Sequence, residues 1–202
     1  MEIGSNQSSE SVAPSIWDSV THMRAAAALR QRLRAFVGFP QPGVVFQDLS
    51  DVYATPELLR ELTDIIIARY SGEFDHVAGI ESRGFLLGMA VSWAANVPLV
   101  LVRKAGKLPG AVHARTYESE YARGTLEVQK DAVPAHAHVL LVDDVVATGE
   151  TLRAGAELIE GCGAKIVGLA ALLELSALKG RALLNDYPFF AIHQLDDIEC
   201  PN

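Results

Sequence analysis

The residues of this chain best suited to chemistry are two adjacent acids, Asp143 and Asp144, which follow an apolar run over 139–142. Four apolar residues in a row favour a buried strand of a parallel sheet. A turn with hydroxyl groups and one glycine follows the acids, and then a helix-like segment begins. Backbone N–H groups at a helix N-terminus are free to bind an anion, and Gly149 lets the chain turn tightly against one. A phosphate at the turn, with hydroxyl groups or a metal at the acids, would together describe a sugar phosphate.

The same stretch, V-L-L-V-D-D-V-V-A-T-G-E-T over 139–151, resembles the signature with which type I phosphoribosyltransferases bind phosphoribosyl pyrophosphate (PRPP). The resemblance implies that Asp143 and Asp144 bind the ribose hydroxyl groups of PRPP. It also implies that the turn wraps the 5′-phosphate through Ala147, Thr148, Gly149, Glu150 and Thr151. An ordinary strand-to-helix turn is the alternative, whereas a Walker P-loop is excluded because no Gly-Lys-Ser/Thr sequence follows the turn.

A second turn, G-I-E-S-R-G-F over 79–85, also lies between a predicted strand and a predicted helix. Its N–H groups and the Arg83 side chain are suited to a second anion. In the family that the chain resembles, this turn holds pyrophosphate. The resemblance therefore implies that Ser82 and Arg83 bind PRPP and that Arg83 takes part in catalysis. A simple helix cap, with Ser82 as the N-cap and Arg83 in solvent, is the alternative interpretation.

A cluster of cations, Arg103, Lys104 and Lys107, interrupts an otherwise acidic chain. Such clusters are usually solvated loops, but this one directly follows a predicted strand, where a site is expected. The sequence R-K-A-G-K-L-P-G is similar to that of the adenine phosphoribosyltransferases in particular. This resemblance implies that the loop binds the pyrophosphate of PRPP, that Arg103 reaches into the site of a partner subunit, and that the two lysines neutralise charge.

A polar stretch, Y-E-S-E-Y over 117–121, is similar to the flap of the same enzymes. There a glutamate takes part in acid–base chemistry on the purine, and matching positions selects Glu120, with Tyr121 beside it on the flap. Two acids in a polar stretch are usually only solvated surface, so Glu118 serves as the control for Glu120.

The stretch F-P-Q-P-G-V-V-F-Q-D over 39–48 resembles the segment that recognises the purine, called the hood. The Phe46 ring offers stacking to a base, and backbone groups of Val45 and Gln47 can read the edge of adenine. Gln47 stands where many relatives carry arginine, so a side-chain contact there would be altered. Leu175 matches a position that packs on the base. A plain hydrophobic contact for Phe46 and an ordinary core position for Leu175 are the alternatives.

The composition is typical of one globular domain, with 202 residues, of which half are hydrophobic and 21% are charged. A net charge of −8 argues against broad binding to nucleic acids or anionic membranes. The two cysteines, Cys162 and Cys200, lack C-x-x-C spacing, which suits a reducing cytoplasm and offers no zinc site. Because the sequence shows neither a membrane-spanning run nor a signal-peptide pattern, we expect a cytoplasmic protein.

The rest of the sequence alternates between strand and helix patterns, which predicts an α/β fold with a central, mostly parallel β-sheet flanked by helices. The resemblance specifies it as the type I phosphoribosyltransferase fold, with an N-terminal hood and a mobile flap. We expect a disordered tail over 1–14 and a single domain over 15–202, with the hood at about 15–50 and the flap at about 103–131. The predicted strands lie at 76–80, 98–102, 139–142, 165–173 and 189–193, and the predicted helices at 16–36, 55–70, 84–95 and 149–162.

The five motifs occur in the family's order and cover about residues 30–193. They imply an enzyme of purine salvage that converts adenine and PRPP to AMP and pyrophosphate. Mg²⁺ is the implied cofactor, held mainly by PRPP and by water near Asp143 and Asp144 rather than by direct protein ligands. A homodimer is implied because Arg103 needs a partner subunit. Two alternatives stay open, namely another acceptor base (hypoxanthine, guanine, xanthine or orotate) and a non-catalytic PRPP-sensing regulator.

Overall fold

The fold centres on a seven-stranded sheet. The computed structural model describes residues 16–118 and 123–196. The strands are β1 Arg34–Val37, β2 Val45–Asp48, β3 His76–Ile80, β4 Leu99–Lys104, β5 Val112–Glu118, β6 Arg123–Gln129, β7 His138–Val146, β8 Lys165–Leu175 and β9 Phe189–Leu195. The order across the sheet is β5-β6-β4-β3-β7-β8-β9. Five of these strands run parallel, namely β4, β3, β7, β8 and β9. The predicted mostly parallel sheet is therefore confirmed.

Helices cover both faces of this sheet. They are α1 Ile16–Arg32, α2 Ser50–Tyr53, α3 Pro56–Arg69, α4 Gly84–Ala95, α5 Glu150–Gly161 and α6 Gly180–Leu183. Along β7, successive side chains alternate between the faces. Leu140 and Val142 pack in one core with residues of α1, α3 and α4, and Val139 and Leu141 pack in a second core with residues of α5. Because β7 is buried on both faces here, its residues 139–142 form a continuous apolar run.

The order of strands and helices after residue 55 was predictable, and two elements match their predicted bounds, β3 and α4. Other strands extend further than predicted. β7 continues to Val146 rather than stopping at residue 142, and β8 continues to Leu175. The polar residues that follow each apolar run suggested an earlier end, but pairing between β7 and β8 carries both strands past them. The short helices α2 and α6 were not predicted.

The hood differs from its prediction. The helical spacing over 16–36 predicted one helix, whereas α1 ends at Arg32 and residues 34–37 form β1. β1 pairs antiparallel with β2, with Phe36 opposite Phe46, as a separate two-stranded sheet. The sequence R-A-F-V fits both helical and strand periods, and the pairing with β2 decides between them.

The predicted flap contains an antiparallel ribbon. β5 pairs with β6 along its whole length, and β6 pairs with the end of β4, so the ribbon extends one edge of the sheet. The ribbon lies within the predicted flap at about residues 103–131, whereas the mobility of the flap stays a prediction. Within residues 16–118 and 123–196, the structure has no helix that is both long and apolar enough to cross a membrane.

Candidate active site

The carboxyl end of β7 leads into a short turn beside an open cleft. Residues 147–149 form the turn, and Gly149 adopts a left-handed backbone conformation with φ of 81°. The cleft contains about 320 Å³ of empty space and is lined by Asp143, Val145, Val146, Ala147, Thr148, Gly149, Thr151 and Leu152. Four of the five predicted turn residues thus line the cleft, while Glu150 starts α5. Since the first N–H groups of a helix lack partners within it, the cleft is suited to a phosphate.

The two acids lie inside β7 and point to opposite faces of the sheet, because neighbouring strand residues alternate. Asp143 lines the cleft, and its Oδ1 accepts a hydrogen bond of 2.8 Å from the Asp144 amide. Asp144 is buried on the other face, where its Oδ2 lies 2.7 Å from Nε of Arg83. The sequence predicted a strand that ends at residue 142, before both acids, and this prediction is wrong because β7 continues to Val146. β7 therefore presents one carboxylate to the phosphate cleft and one to Arg83.

Burial makes this acid pair unusual electrostatically. It raises the pKa of Asp143 well above its ordinary value, and the negative charge of Asp144 adds to that effect. Burial also raises the pKa of Asp144, although the positive charge of Arg83 opposes the change. Both carboxylates are thus less stable in their charged form than carboxylates in water. A ligand that brings hydroxyl donors or positive charge to them would stabilise that form.

Arg83 connects the acid pair to the hood. Its Nη1 donates a hydrogen bond of 3.2 Å to the carbonyl oxygen of Gln47, and its guanidinium lies 4.8 Å from the centre of the Phe46 ring. Phe39 packs edge-on against the same ring at 5.2 Å. Arg83 therefore does not simply point into solvent, as the helix-cap alternative had it. The contacts of Phe46 are compatible both with a plain hydrophobic contact and with stacking on a base, so its role stays a prediction. Val45 is half-buried beside this cluster. Gln47, which stands where many relatives carry arginine, is buried, so its side chain does not lie on the protein surface.

Glu81 is a site residue that the sequence analysis missed. Its buried carboxylate accepts hydrogen bonds from the Lys104 amide at 3.0 Å and from Nε of Arg103 at 3.3 Å, and it forms an ion pair with Lys107. Burial alone would raise the pKa of Glu81, but the bonds from Lys107 and the Lys104 amide hold it below its ordinary value. Arg103 and Lys107 thus contact Glu81 through their side chains, whereas Lys104 contacts it only through its backbone amide. Contact of Arg103 with a partner subunit stays a prediction.

Comparison with known proteins identifies the family. The family model for the phosphoribosyl transferase domain matches residues 48–199. An adenine phosphoribosyltransferase of Synechocystis is 41% identical over 167 residues, which cover 81% of this chain and 97% of that protein. This chain belongs to the adenine phosphoribosyltransferase family. It is therefore a phosphoribosyltransferase enzyme, and the resemblance found in its motifs is confirmed.

Solved structures of adenine phosphoribosyltransferases share the fold. The structure from Rhodothermus marinus superposes with a TM-score of 0.82 at 39% identity and covers 86% of this chain and 99% of that one. The structure from Saccharomyces cerevisiae, complexed with adenine and an imino-altritol bisphosphate, gives a TM-score of 0.78 at 38% identity and covers 84% and 99%. The type I phosphoribosyltransferase fold that the motifs implied is thereby confirmed for this enzyme.

Several predicted site residues stay predictions. Glu120 and Tyr121 lie outside the described residues, between the facing ends of β5 and β6. Ser82 is exposed in the turn before α4, where a ligand could reach it. Leu175 is buried at the end of β8 and pairs with Leu195 of β9, which is compatible with both interpretations of that residue.

The donor groups at the site fit the expected mode of Mg²⁺ binding. Within the described parts of the chain, no cluster of three or more His, Cys, Asp or Glu side chains could hold a metal ion by itself. Asp143 offers carboxylate oxygen to the cleft, whereas Asp144 is already paired with Arg83. Magnesium prefers oxygen ligands and usually keeps several waters while binding phosphates. The site therefore suits an ion that takes most of its ligands from PRPP and water.

Proposed function

We propose that this enzyme transfers the 5-phosphoribosyl group of PRPP to adenine, forming AMP and pyrophosphate, and so acts in purine salvage. The observation that carries the proposal is the position of the acid pair on β7. Asp143 lines the phosphate cleft, while Asp144 is joined through Arg83 to Phe46 and Gln47 of the hood. A nucleotide with its phosphate in the cleft would have its ribose beside the acids and its base toward the hood. The yeast relative, solved with adenine, supports adenine as the base.

The reaction breaks the bond between the anomeric carbon of ribose and pyrophosphate, and the electron pair leaves with pyrophosphate. N9 of adenine forms the new bond and loses its proton. Because the leaving group is highly anionic, stabilising its charge should dominate catalysis. Ser82, Arg83 and the loop of Arg103, Lys104 and Lys107 supply donors and positive charge for it. Bound Mg²⁺ would supply further charge neutralisation at the phosphates, near Asp143 and Asp144.

The acids have a second role in this proposal. Asp143, which lines the cleft, accepts hydrogen bonds from the ribose hydroxyl groups. Binding of ribose by Asp144, which is buried against Arg83, stays a prediction, whereas both negative charges stabilise positive charge that develops on the sugar ring. Burial raises the pKa of both Asp143 and Asp144, so a bound sugar that donates hydrogen bonds or develops positive charge would favour their charged form. Closure of the flap would exclude water, which otherwise competes with adenine as the nucleophile.

The base specificity is tested by comparing turnover with adenine, hypoxanthine, guanine, xanthine and orotate at saturating PRPP, with release of pyrophosphate as the measurement. We expect turnover with adenine to exceed that with every other base. Faster turnover with hypoxanthine or guanine would assign a different base to the same enzyme. Absence of pyrophosphate release with all five bases, together with PRPP-dependent DNA binding in a gel-shift assay, would instead indicate a regulator.

We expect Glu120→Gln to lower kcat about 10²–10⁴-fold, the range typical of general acid–base catalysis, because the amide cannot accept the proton that N9 loses. The affinity for PRPP should change little, since the flap glutamate is assigned to the base. Glu118→Gln is the matched control and should retain wild-type kcat. Equal kcat values for the wild type and Glu120→Gln would remove Glu120 from this role.

A homodimer is part of the proposal, and the exposed face of α4 supports it. Leu86, Met89 and Trp93 follow one side of this helix at helical spacing and are 52%, 53% and 79% exposed. A contiguous apolar stripe on the surface is typical of a protein interface. Since α4 begins directly after Arg83, a second copy of the chain on this stripe would lie beside the pyrophosphate turn.

Trp93→Glu is expected to convert the dimer to a monomer at micromolar concentration, because a buried unpaired charge at the interface is strongly unfavourable. Sedimentation velocity measures the change. Val20→Glu, on the exposed face of α1, is the control and should leave the dimer intact, since Val20 is a similarly exposed apolar residue away from the stripe. An unchanged dimer in Trp93→Glu would place the interface elsewhere.

We also place the enzyme in the cytoplasm. The small number of cysteines, two in 202 residues, supports a reducing compartment. Cys162 is a free thiol in the structure.

A further inference from the structure

The short helix α6 lies directly against the phosphate turn. A Cβ atom on Gly180, the first residue of α6, would lie 2.2 Å from the carbonyl oxygen of Ala147 and 2.9 Å from the amide nitrogen of Gly149. A Cβ atom on Gly149 would in turn lie 2.6 Å from the carbonyl oxygen of Gly180. The two backbone segments therefore touch without room for any side chain between them. The first residue of α6 and the phosphate turn are therefore in direct backbone contact.

An ion pair ties α6 to the sheet. Nε of Arg181 donates a hydrogen bond of 3.1 Å to Oε1 of Glu174 on β8, and Nη2 pairs with Oε2. Gln194 of β9 donates a further bond of 3.1 Å to Oε2. The Glu174 side chain is only 3% exposed, so both carboxylate oxygens are paired in a buried position. Such a bidentate arginine–carboxylate pair fixes orientation as well as distance.

The Arg181 side chain is also held from its other side. Its guanidinium lies 4.7 Å from the centre of the Phe189 ring, and Nη1 donates a bond of 3.3 Å to the Phe189 carbonyl oxygen. At the far end of α6, Arg153 of α5 donates a bond of 2.8 Å to the Leu183 carbonyl oxygen. A helix of four residues is too short to be stable alone, so these contacts determine where it lies.

Stability alone does not explain this ion pair, in which the Glu174 side chain is 3% exposed and the Arg181 side chain is 44% exposed. Apolar residues of similar volume often serve a folded protein as well as a buried ion pair or better, because charges are costly to remove from water. What the ion pair supplies here is a fixed geometry for α6. Gly180, the neighbour of Arg181 in the chain, contacts the turn directly. Only the backbone of Gly180 therefore lies between Arg181 and the turn that lines the phosphate cleft.

We propose that Glu174 and Arg181 are positioning residues for the phosphate turn: the ion pair between buried Glu174 of β8 and Arg181 of α6 holds Gly180 against Ala147 and Gly149. Neither side chain is assigned a contact with the ligand. The inference rests on the proposed function, in which this turn binds the 5′-phosphate of PRPP and of AMP. It predicts that loss of the pair weakens binding of ligands that carry the phosphate and spares those that lack it.

The test compares AMP with adenosine, which differ only in the phosphate. Calorimetry measures both dissociation constants for the wild type and for Arg181→Gln. We expect the AMP constant to rise by about tenfold to a hundredfold and the adenosine constant to change less than about twofold, as for other residues that orient a binding group. Arg181→Lys keeps the charge but not the two-pronged geometry, so it should rescue AMP binding only in part. In kinetics, the KM for PRPP should rise while the KM for adenine stays constant.

A second variant guards against loss of folding, because Arg181→Gln leaves the Glu174 charge buried without its partner. The double change Glu174→Met with Arg181→Met removes both charges, and we expect wild-type-like thermal stability with the same selective loss of AMP binding. Arg24→Gln, which breaks the exposed pair with Glu61 on the protein surface, should alter neither ligand.

Equal weakening of AMP and adenosine, or unchanged AMP binding in a folded variant, would overturn the positioning role. Failure of the proposed function is distinguishable, since wild-type enzyme would then bind AMP no more tightly than adenosine.

Discussion

Replacing Gly149 with alanine is expected to lower kcat/KM for PRPP by at least about a hundredfold. The alanine would have to adopt φ of 81°, which is unfavourable for residues with a Cβ atom by about 1–2 kcal/mol. Its Cβ would also lie 2.6 Å from the Gly180 carbonyl oxygen, which is backbone and cannot move aside cheaply. The turn must therefore shift, and a shift of about 1 Å at a binding site can reduce rates about a hundredfold. Steady-state kinetics with varied PRPP measure the effect.

Gly161→Ala is the matched control for this change, because Gly161 is the last residue of the same helix, α5. Among the described residues, nothing lies within 4 Å of a Cβ atom placed there. We expect wild-type kinetics and a gain in the free energy of unfolding of up to about 1 kcal/mol from the better helix propensity of alanine. If Gly149→Ala kept wild-type kinetics in a folded protein, the turn would not be the phosphate site.

Asp143→Asn is expected to stabilise the ligand-free enzyme at neutral pH while impairing catalysis. Burial and the charge of Asp144 raise the pKa of Asp143 well above 3.8, so the native state holds this proton to higher pH than the unfolded state does. Between those two pKa values the native state binds more protons, and the free energy of unfolding therefore falls as pH rises. Asparagine carries no charge and removes that loss. The gain in Tm over the wild type should increase from pH 4 toward pH 8.

In the proposed function the same change removes a charged acceptor for ribose, and a hydrogen bond to a charged group contributes about 1.5–3 kcal/mol. We therefore expect kcat/KM for PRPP to fall by about tenfold to a hundredfold. Asp64→Asn, at an exposed position of α3, is the control and should leave both Tm and kinetics unchanged at every pH. A difference in Tm between Asp143→Asn and wild type that stays constant or shrinks with rising pH would contradict the buried-carboxylate explanation.

The parts of this site that were predictable from sequence are those encoded locally. The apolar run before Asp143 and the glycine at 149 lie within a few residues of each other, so strand, turn and helix could be placed together. The opposite orientation of the two acids follows from strand alternation, but the predicted strand ended at residue 142 and so gave no reason to apply it. The strand at 34–37 was missed because its residues fit two periods and only pairing with β2 decides between them.

Contacts between distant segments could not be predicted. Glu81 meets Lys107 and Glu174 meets Arg181 through turns whose geometry only the folded chain defines. In the sequence Glu174 stands among apolar residues and Glu81 directly follows an apolar strand, and a buried acid at such a place needs a partner. That signal indicates that a cation must lie nearby, although it does not say which one. Glu120 shows the opposite case, since family resemblance alone assigns its role.

The acids belong to β7, an interior strand bonded to β3 on one side and to β8 on the other. Amide groups in such a strand exchange with solvent mainly when the whole molecule opens, whereas those of edge ribbons and short helices exchange through smaller openings. In the proposed function, recognition of the sugar therefore lies on an interior strand of the sheet. If the hood and the ribbon open, they would admit substrate and release product without disturbing the two carboxylates of β7.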